Sequence, residues 1–434
     1  MSLSNFPPEI LGEIFVACLP ECDSHRLDPH NAPSLLCQVS SRWRAVAMEE
    51  PRLWDTIIFP PSNHAQHSRF IHAGGVERWF NRTGRLWPLS LGEEPSDTPS
   101  GSLITQYLHI VTRYARRFKH LSVVMTKIMH LESLRRGFPR DIFDQLQSVS
   151  LCCSTKMNSY TLHSFAQLVT PFGTASKLKH VSFTLIKEDP TKFALPWSQI
   201  TSIDVASRTR PLDLAGWRSL LETCQNLQRG SFVFPYCGRP LDKPVLNHAS
   251  LKSLTLVLPS RWEEVLDQVP YRRRLTNYDL APLFLAVTFS NIQNLRFQFH
   301  PHRKPLRHVS SECYAMKSTL KTVAFGWPGE ANKGAPVEAS DFVGKITREP
   351  GSFTALRHIV LPYKSAKLDH IVAALRSHPR LSVTITAVPK RINGWMQAIE
   401  SHEDSNIIKD RINILSTERY YLLYGDSYLN HLNL

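Results

Sequence analysis

Apolar and polar residues alternate in a short pattern that recurs along the middle of the chain. Each copy begins with an apolar residue at a position that we call p, and the pattern is apolar again at p+3 and p+5. Leu-Lys-Ser-Leu-Thr-Leu at 251–256 is a typical copy. Side chains alternate between the two faces of a strand, so each copy predicts a short β-strand with p+4 facing away from p+3 and p+5. Clear copies begin at residues 118, 146, 178, 200, 227, 251, 292, 320 and 356.

Amphipathic stretches lie between these copies and predict helices at 159–169, 214–224, 280–287 and 368–377. A strand–helix unit cannot bury both of its faces alone, whereas stacked units can. Most steps between copies lie near the period of a leucine-rich repeat, about 20–29 residues. We therefore predict an α/β fold with an irregular leucine-rich-repeat-like solenoid, a curved parallel sheet with outer helices. A doubly wound α/β domain also alternates strands and helices, but the recurrence of one spacing favours the repeat.

A short helical block precedes the repeats. Pro7 and Pro8 fit the first turn of a helix, where no backbone N–H is needed, and apolar residues follow at helical spacing. Pro20 ends this helix, and the polar, proline-containing residues 20–33 indicate a loop. A second helix is predicted at about 34–48. Because so small a unit buries little apolar surface, we expect it to lean on the following domain, on a partner, or on both.

The residues of this block resemble the F-box motif in three elements that occur in the family's order. The elements are Phe6-Pro7-Pro8-Glu9-Ile10-Leu11, Val39-Ser40-Ser41-Arg42-Trp43-Arg44 and Pro51-Arg52-Leu53-Trp54. Two features depart from the family: Phe6 stands where leucine is usual, and the loop 20–33 is several residues longer. The resemblance implies that the block binds a Skp-type adaptor and, through it, a cullin. The chain would then be the substrate-recognition subunit of a ubiquitin ligase, with the rest of the chain selecting a protein substrate.

The resemblance nominates a set of residues for the adaptor surface. Some of them must form the internal core of the block, and the sequence does not separate the two groups. The set comprises Phe6, Pro7, Ile10, Leu11, Ile14, Phe15, Leu35, Leu36, Val39 and Trp43.

The p+4 positions of the strands are the candidates for a substrate-binding face, which the solenoid would present on its concave side. They are mostly small, which suits a flat surface for protein recognition. Within this row, the candidates that we single out are Ser150, Ser182, Asp204, Thr255 and Arg296. The row is completed by Ser122, Ser231, Ala324 and Val360.

These patterns divide the chain into four predicted segments. Residues 1–55 form the F-box helical domain, residues 56–105 a connector, and residues 106–392 the solenoid. Residues 393–434 are interpreted as a segment that caps the last repeat, because the open end of a solenoid must be covered. Within this last segment, residues 407–416 are predicted to be helical.

Composition narrows the expected partners and compartment. The chain has 434 residues, of which 42% are hydrophobic. No apolar run approaches about 18 residues, and the start lacks the pattern of a signal peptide, so we expect a cytoplasmic or nuclear protein that does not bind membranes.

The eight cysteines are scattered and are expected to be buried thiols. Cys18 and Cys22 with His25 and His30 have roughly zinc-like spacing, but Cys18 lies on the apolar stripe of the first helix, so no metal is expected.

Charge is divided unevenly along the chain. The net charge is +14, and since residues 1–55 contain four basic and eight acidic residues, the remainder carries +18. A basic body either favours an acidic partner or is no more than a solubilising surface. A basic scaffold that binds nucleic acid or acidic protein is therefore the alternative function, as is an F-box protein that acts outside a ligase. Nucleic acid is not the expected partner, because the basic clusters around Arg113–Arg117 and Arg272–Arg274 lack an aromatic RNA-binding motif.

Motifs for nucleotide binding, metalloprotease activity and serine hydrolysis are absent from the sequence. We therefore expect neither an enzyme nor a cofactor.

Overall fold

A computed structural model provides the architecture, and every structural statement below concerns the residues that it describes. These are residues 6–20, 23–60, 64–94, 103–125, 142–153, 172–184, 190–206, 214–233, 244–258, 278–279, 281–299, 306–307, 313, 315–326, 337–349, 351–363, 367–387, 389–416 and 419. The chain divides into two compact units, Met1–Ile200 and Thr201–Leu434. The sequence pattern predicts no boundary at this point. The predicted helix at 159–169 lies outside the described residues.

The first unit begins with helices and continues with parallel strands. Its described helices are α1 (Pro8–Ala17), α2 (Leu36–Val39), α3 (Ser41–Glu49), α4 (His64–His72), α5 (Gly75–Asn81) and α6 (Ile104–Tyr114), with short 3-10 helices at Asp23–Leu27, Pro51–Leu53, Ala115–Arg117, Pro190–Lys192 and Trp197–Gln199. Its strands are β1 (Thr56–Phe59), β2 (Leu89–Glu93), β3 (Phe118–Met125), β4 (Ser148–Cys153) and β5 (His180–Thr184), which lie side by side in chain order.

The second unit alternates strands and helices. Its described helices are α7 (Leu214–Thr223), α8 (Ala281–Ala286), α9 (Val337–Arg348), α10 (Leu368–Ser377), α11 (Pro389–Ser401) and α12 (Ser405–Ile408). Eight strands lie side by side in chain order: β6 (Ser202–Ala206), β7 (Arg229–Val233), β9 (Ser253–Leu258), β12 (Asn294–Phe299), β14 (Thr322–Gly326), β15 (His358–Pro362), β16 (Ser382–Ala387) and β17 (Ile412–Ser416). Two small pairs join β8 (Leu246–Asn247) to β11 (Val287–Thr288) and β10 (Tyr278–Asp279) to β13 (Leu306–Arg307).

The strand pairings within each unit are parallel, and they align the copies of the sequence pattern. In the first unit Leu121 lies opposite Val149, which lies opposite Val181, so each p+3 residue faces the p+3 residue of the next copy. The same register continues in the second unit, for example Leu254 opposite Leu295. The protein is therefore α/β with parallel strands, as predicted.

Main-chain hydrogen bonds extend this alignment by one residue before each strand. The N–H of Gln147 donates to the carbonyl oxygen of Lys119, both at p+1 of their copies, at 2.8 Å. The equivalent bond joins Lys321 to Gln293 at 2.7 Å and recurs between other neighbouring copies. The copies therefore match in backbone geometry as well as in apolar spacing.

Every residue at p, p+3 and p+5 of the nine clear copies is buried. Gly230 is the only one of the p+3 positions without a side chain. A Cβ atom there would lie 2.4 Å from the ring of Phe232, so the glycine leaves room for that ring on the same face of β7. The strands thus place their regularly spaced apolar side chains in the interior, as the alternation predicts.

Two parts of the chain differ from the sequence-based expectation. The segment interpreted as a connector contributes β1 and β2, which pair with each other and then with β3. The helix predicted at 407–416 is wrong: the chain forms the short helix α12 and then the strand β17. The apolar residues 408, 412 and 415 fit helical spacing, but pairing with β16 satisfies the backbone groups of β17.

Helices in the described part of the chain are all too short or too polar to span a bilayer.

Candidate partner-binding surface on the N-terminal helices

Helix α1 has one buried and one exposed face. Pro8 occupies its first turn, where a missing N–H costs nothing, and the N–H of Leu11 donates to the carbonyl oxygen of Pro7 at 3.1 Å. Leu11 and Phe15 are fully buried. Ile10, although adjacent to Leu11, is 46% exposed. The helix therefore turns an apolar side chain outward.

The second predicted helix is two helices, α2 and α3. Ser40 has an extended backbone between them, and its hydroxyl accepts a hydrogen bond from the N–H of Trp43 at 3.1 Å. Serine is a favoured N-cap because its side chain satisfies an otherwise unpaired donor of the first turn. Before this break Leu36 is buried, whereas its apolar neighbours Leu35 and Val39 are exposed.

An aromatic core holds the block together and joins it to the following residues. The ring centroids of Phe15 and Trp43 lie 4.9 Å apart. Trp54 is buried and donates its indole N–H to the carbonyl oxygen of Ala47 at 2.7 Å. Its ring packs edge-on against Trp79 of α5, with centroids 4.7 Å apart. The block thus leans on the residues that follow it in the first unit.

Arg52 ties α1 to the segment after α3. Its guanidinium donates to Glu13 at 2.8 Å and to Glu50 at 2.7 Å. These hydrogen bonds lower the pKa of both carboxyl groups and raise the pKa of Arg52, with Glu50 as the larger cause. A Cβ atom at Gly12 would lie 2.9 Å from Glu50 Oε2, so the glycine allows this carboxylate to lie against α1.

The long loop 20–33 is anchored at its 3-10 helix. Arg26 lies 2.8 Å from Asp23 and 3.1 Å from Asp55, the residue directly before β1. Its side chain is mostly buried. Arg26 therefore connects the 3-10 helix of this long loop to the residue before the first strand.

The structure separates the ten adaptor candidates into three groups. Buried are Leu11, Phe15 and Leu36; half-buried are Phe6, Ile14 and Trp43; exposed are Pro7, Ile10, Leu35 and Val39. Met48 is a further exposed apolar residue that sequence reasoning missed. The sequence contains a signal for this exposure. Met48 directly follows the buried residues Val46 and Ala47, and helical spacing places it away from the inner face of α3.

The candidate substrate face is only partly accessible. Ser150, Ser182, Asp204 and Arg296 are half-buried, but Thr255 is buried. Farther along the same row, Ala324 and Val360 form a buried cluster with Leu415. The expectation that the whole p+4 row lines an open face is therefore wrong for Thr255, Ala324 and Val360.

A buried carboxyl group lies at the end of β2. Glu93 accepts hydrogen bonds from the N–H of Leu103 at 3.1 Å and from the hydroxyl of Tyr107 at 2.7 Å. Burial raises the pKa of Glu93 to about 7 and raises the pKa of Tyr107 well above its usual value. Because Leu103 immediately precedes α6, this carboxyl group holds the start of that helix.

Within the described residues, no group of three or more His, Cys, Asp or Glu side chains is placed to hold a metal ion. Cys18, His25 and His30 are exposed, and Cys22 lies outside the described residues. Burial raises the pKa values of the Cys152 and Cys224 thiols to about 12, so these two are inert at neutral pH.

Neither the protein-family models nor the curated protein sequences that were compared with this chain gave a match.

Proposed function

We propose that this chain is the substrate-recognition subunit of a Skp–cullin–F-box ubiquitin ligase, with residues 1–55 as the F-box. The observation that carries the proposal is the outward face of α1 and α2. Ile10, Leu35 and Val39 belong to the F-box-like motifs or the helix between them, yet they are about half exposed. Large apolar side chains that a small helical block leaves in water mark a protein-interaction surface.

The same arrangement supports two roles for the apolar residues of the motif, one in the internal core and one in adaptor binding. Leu11, Phe15 and Leu36 build the internal core, and Ile10, Leu35 and Val39 would be buried by the adaptor. Completing the burial of each exposed side chain would contribute about 1 kcal/mol. The aromatic contacts of Trp43 and Trp54 hold the helices in a fixed geometry, so little ordering would oppose binding.

For the body of the chain we propose an irregular leucine-rich-repeat-like solenoid that carries the substrate site. The p+3 register and the p+1 hydrogen bonds support equivalent repeat units. The half-buried candidates of the proposed substrate face are Ser150 and Ser182 in the first unit and Asp204 and Arg296 in the second.

The proposed mechanism is proximity. A substrate bound to the body would be held near the catalytic subunits of the ligase, which raises the effective concentration of its lysines there. The chain itself would make and break no covalent bond in this mechanism.

Co-purification of the full chain with a Skp-type adaptor tests the proposal. The informative variant is Ile10→Asp/Val39→Asp, which places charge on the proposed surface and leaves the core residue Leu11 untouched. The matched control is Met396→Asp/Leu285→Asp, because these residues are also exposed, at 47% and 69%. We expect wild type and control to retain the adaptor in equal amounts and the informative variant to lose it.

Failure of the folded wild-type chain to retain the adaptor would contradict the proposal, as would equal losses for both double variants. Addition of a cullin in the same experiment tests the ligase itself. An adaptor complex that excludes the cullin would indicate an F-box protein that acts outside a ligase.

A further inference from the structure

A group of arginines surrounds the turn between α5 and β2 in the first unit. Arg85 is exposed on this turn, and Arg113 and Arg116 are exposed at the end of α6 and just after it. Arg117 connects the two places, since its Nε donates to the carbonyl oxygen of Trp87 at 3.0 Å and its terminal nitrogen donates to the hydroxyl of Thr83. We call Arg85, Leu86, Trp87, Arg113, Arg116 and Arg117 the arginine surface.

The arginines of this surface have no counter-charge within the described residues. None of the four takes part in an ion pair there, whereas Asp55, the nearest acidic group to Trp87, is already paired with Arg26. The guanidinium carbons of Arg113 and Arg117 each lie 5.6 Å from the centre of the Tyr114 ring. Arg85, Arg113 and Arg116 are exposed and Arg117 is half-buried. Guanidinium groups without a counter-charge favour carboxylate or phosphate ligands.

An apolar tip lies on the same turn as Arg85. Leu86 is 93% exposed, the highest value among the large apolar side chains in the described residues. Trp87 beside it is also exposed, and its indole N–H faces Asp55 Oδ2 at 3.5 Å. A leucine held so far into water at the tip of a turn is a feature of recognition loops rather than of a solvated surface.

We propose that the arginine surface binds an acidic protein segment that also carries apolar side chains. The arginines would pair with its carboxylates, and Leu86 would enter an apolar cluster or pocket of the segment.

The charge distribution around the surface favours a peptide over the two other polyanions. A nucleic acid or an anionic bilayer extends its negative charge over a wide area. Beside Trp87 it would meet Asp55, and residues 1–55 of the same unit carry eight acidic and four basic residues. A short segment can place its carboxylates on the arginines alone. Leu86 gains nothing from a phosphate backbone, and a lone leucine and tryptophan give little insertion into a bilayer.

The test begins with a displayed library of random peptides selected on the immobilised full chain. Selected peptides are then labelled, and their binding is measured by fluorescence anisotropy. Two variants change the surface: Arg85→Glu/Arg116→Glu reverses charge and Leu86→Ser removes the apolar tip. Matched controls are Arg229→Glu/Arg380→Glu and Leu285→Ser, which change exposed residues elsewhere.

We expect the selected peptides to be acidic and to contain apolar residues. Each surface variant should weaken their binding about tenfold or more, while the controls bind like wild type. Raising the salt concentration should weaken binding to the wild type and change little for the charge-reversed variant. Adaptor capture should be the same for all of these variants, which separates this inference from the proposed function.

Three results would overturn the inference. The first is a selection that yields no acidic, apolar peptides. The second is binding that responds equally to the surface variants and the controls. The third is tighter binding to a single-stranded oligonucleotide, or to phosphatidylcholine vesicles containing phosphatidylserine, that is lost in the surface variants, because it would assign the surface to another class of ligand.

Discussion

The N-terminal helices and the parallel strands use their apolar residues differently. In the strands, all residues at p, p+3 and p+5 of the nine copies are buried, and within each unit neighbouring copies pair in register. In the helices, neighbouring apolar residues differ in burial: Leu11 is fully buried and Ile10 is 46% exposed. The strands therefore bury the apolar side chains of these positions within the fold, whereas the helices leave some of theirs exposed to solvent.

The difference follows from how each region closes its hydrophobic core. A strand in a parallel sheet has neighbours on both sides, so its apolar row meets equivalent rows of the adjacent strands. A block of three short helices has too little interior for all its apolar residues. The motif that resembles an F-box is thus also the part of the chain where spare apolar surface is physically expected.

The largest expected change in stability comes from a comparison of a core residue and a surface residue of α1. Phe15→Ala should lower the free energy of unfolding by about 3–5 kcal/mol, because the ring is fully buried against Trp43. Ile10→Ala should change it by less than about 0.5 kcal/mol. Urea unfolding followed by tryptophan fluorescence measures both, and similar costs for the two variants would contradict the assignment of core and surface.

A similar pair of variants tests the strands. Leu295 is buried near the start of β12, between Leu254 and Val323 of the neighbouring strands, so Leu295→Ala should cost about 2–5 kcal/mol. Leu285→Ala, at an exposed position of the preceding helix, is the control and should have little effect. A small cost at Leu295 would show that the aligned rows contribute less than their burial suggests.

Glu93 is a buried strand residue with an ionisable side chain, and we therefore expect the stability of the fold to depend on pH. Its pKa rises on folding from 4.5 to about 7, so the folded chain binds the proton more tightly than the unfolded chain. The resulting stabilisation, about 3 kcal/mol, is present below pH 4.5 and is lost as the pH rises through about 7.

Glu93→Gln removes this titration and keeps an oxygen that can accept from Tyr107. Relative to the variant, the wild-type unfolding free energy should therefore fall between pH 4.5 and pH 8. Parallel stability profiles for the two proteins would show that the carboxyl group does not couple to folding.

The smallest expected effect concerns the break between α2 and α3. Ser40→Ala should lower the free energy of unfolding by about 1 kcal/mol, because the Trp43 N–H loses its capping partner. Ser41→Ala, at the next position, caps nothing and should be nearly neutral. If the two variants were equivalent, the cap would not define the start of α3.

The repeated spacing predicted the positions of the strands well, because burial of p, p+3 and p+5 needs only local alternation. It missed β1, although Trp54, Ile57 and Phe59 fit the same spacing and are buried. It also missed β2, whose register with β3 places Pro88 and Glu93 at p and p+5, and it turned β17 into a helix. For β2 and β17 the backbone of a neighbouring strand decided the outcome, and no local pattern records that neighbour.

For the candidate site, the motif identified ten residues, and the sequence could not divide them. Ile10 and Leu11 are adjacent and similar in hydrophobicity, so only the packing of α1 against α3 decides which one is buried. The arginine surface was visible in part, since Arg113, Arg116 and Arg117 are close in sequence. The apolar tip of this surface was not visible in the sequence. Leu86 is an ordinary apolar residue there, and only the turn in the structure exposes it.

The sequence by itself determined the α/β class, the places of the nine repeated strands and the helical start of the chain. These follow from short-range periodicity, which depends only on how side chains alternate along a strand or around a helix. The tertiary structure alone decided which apolar residues of the helices remain in water, which p+4 positions are covered, and which charges share a surface. Those properties depend on contacts between segments far apart in the chain, and no local pattern contains them.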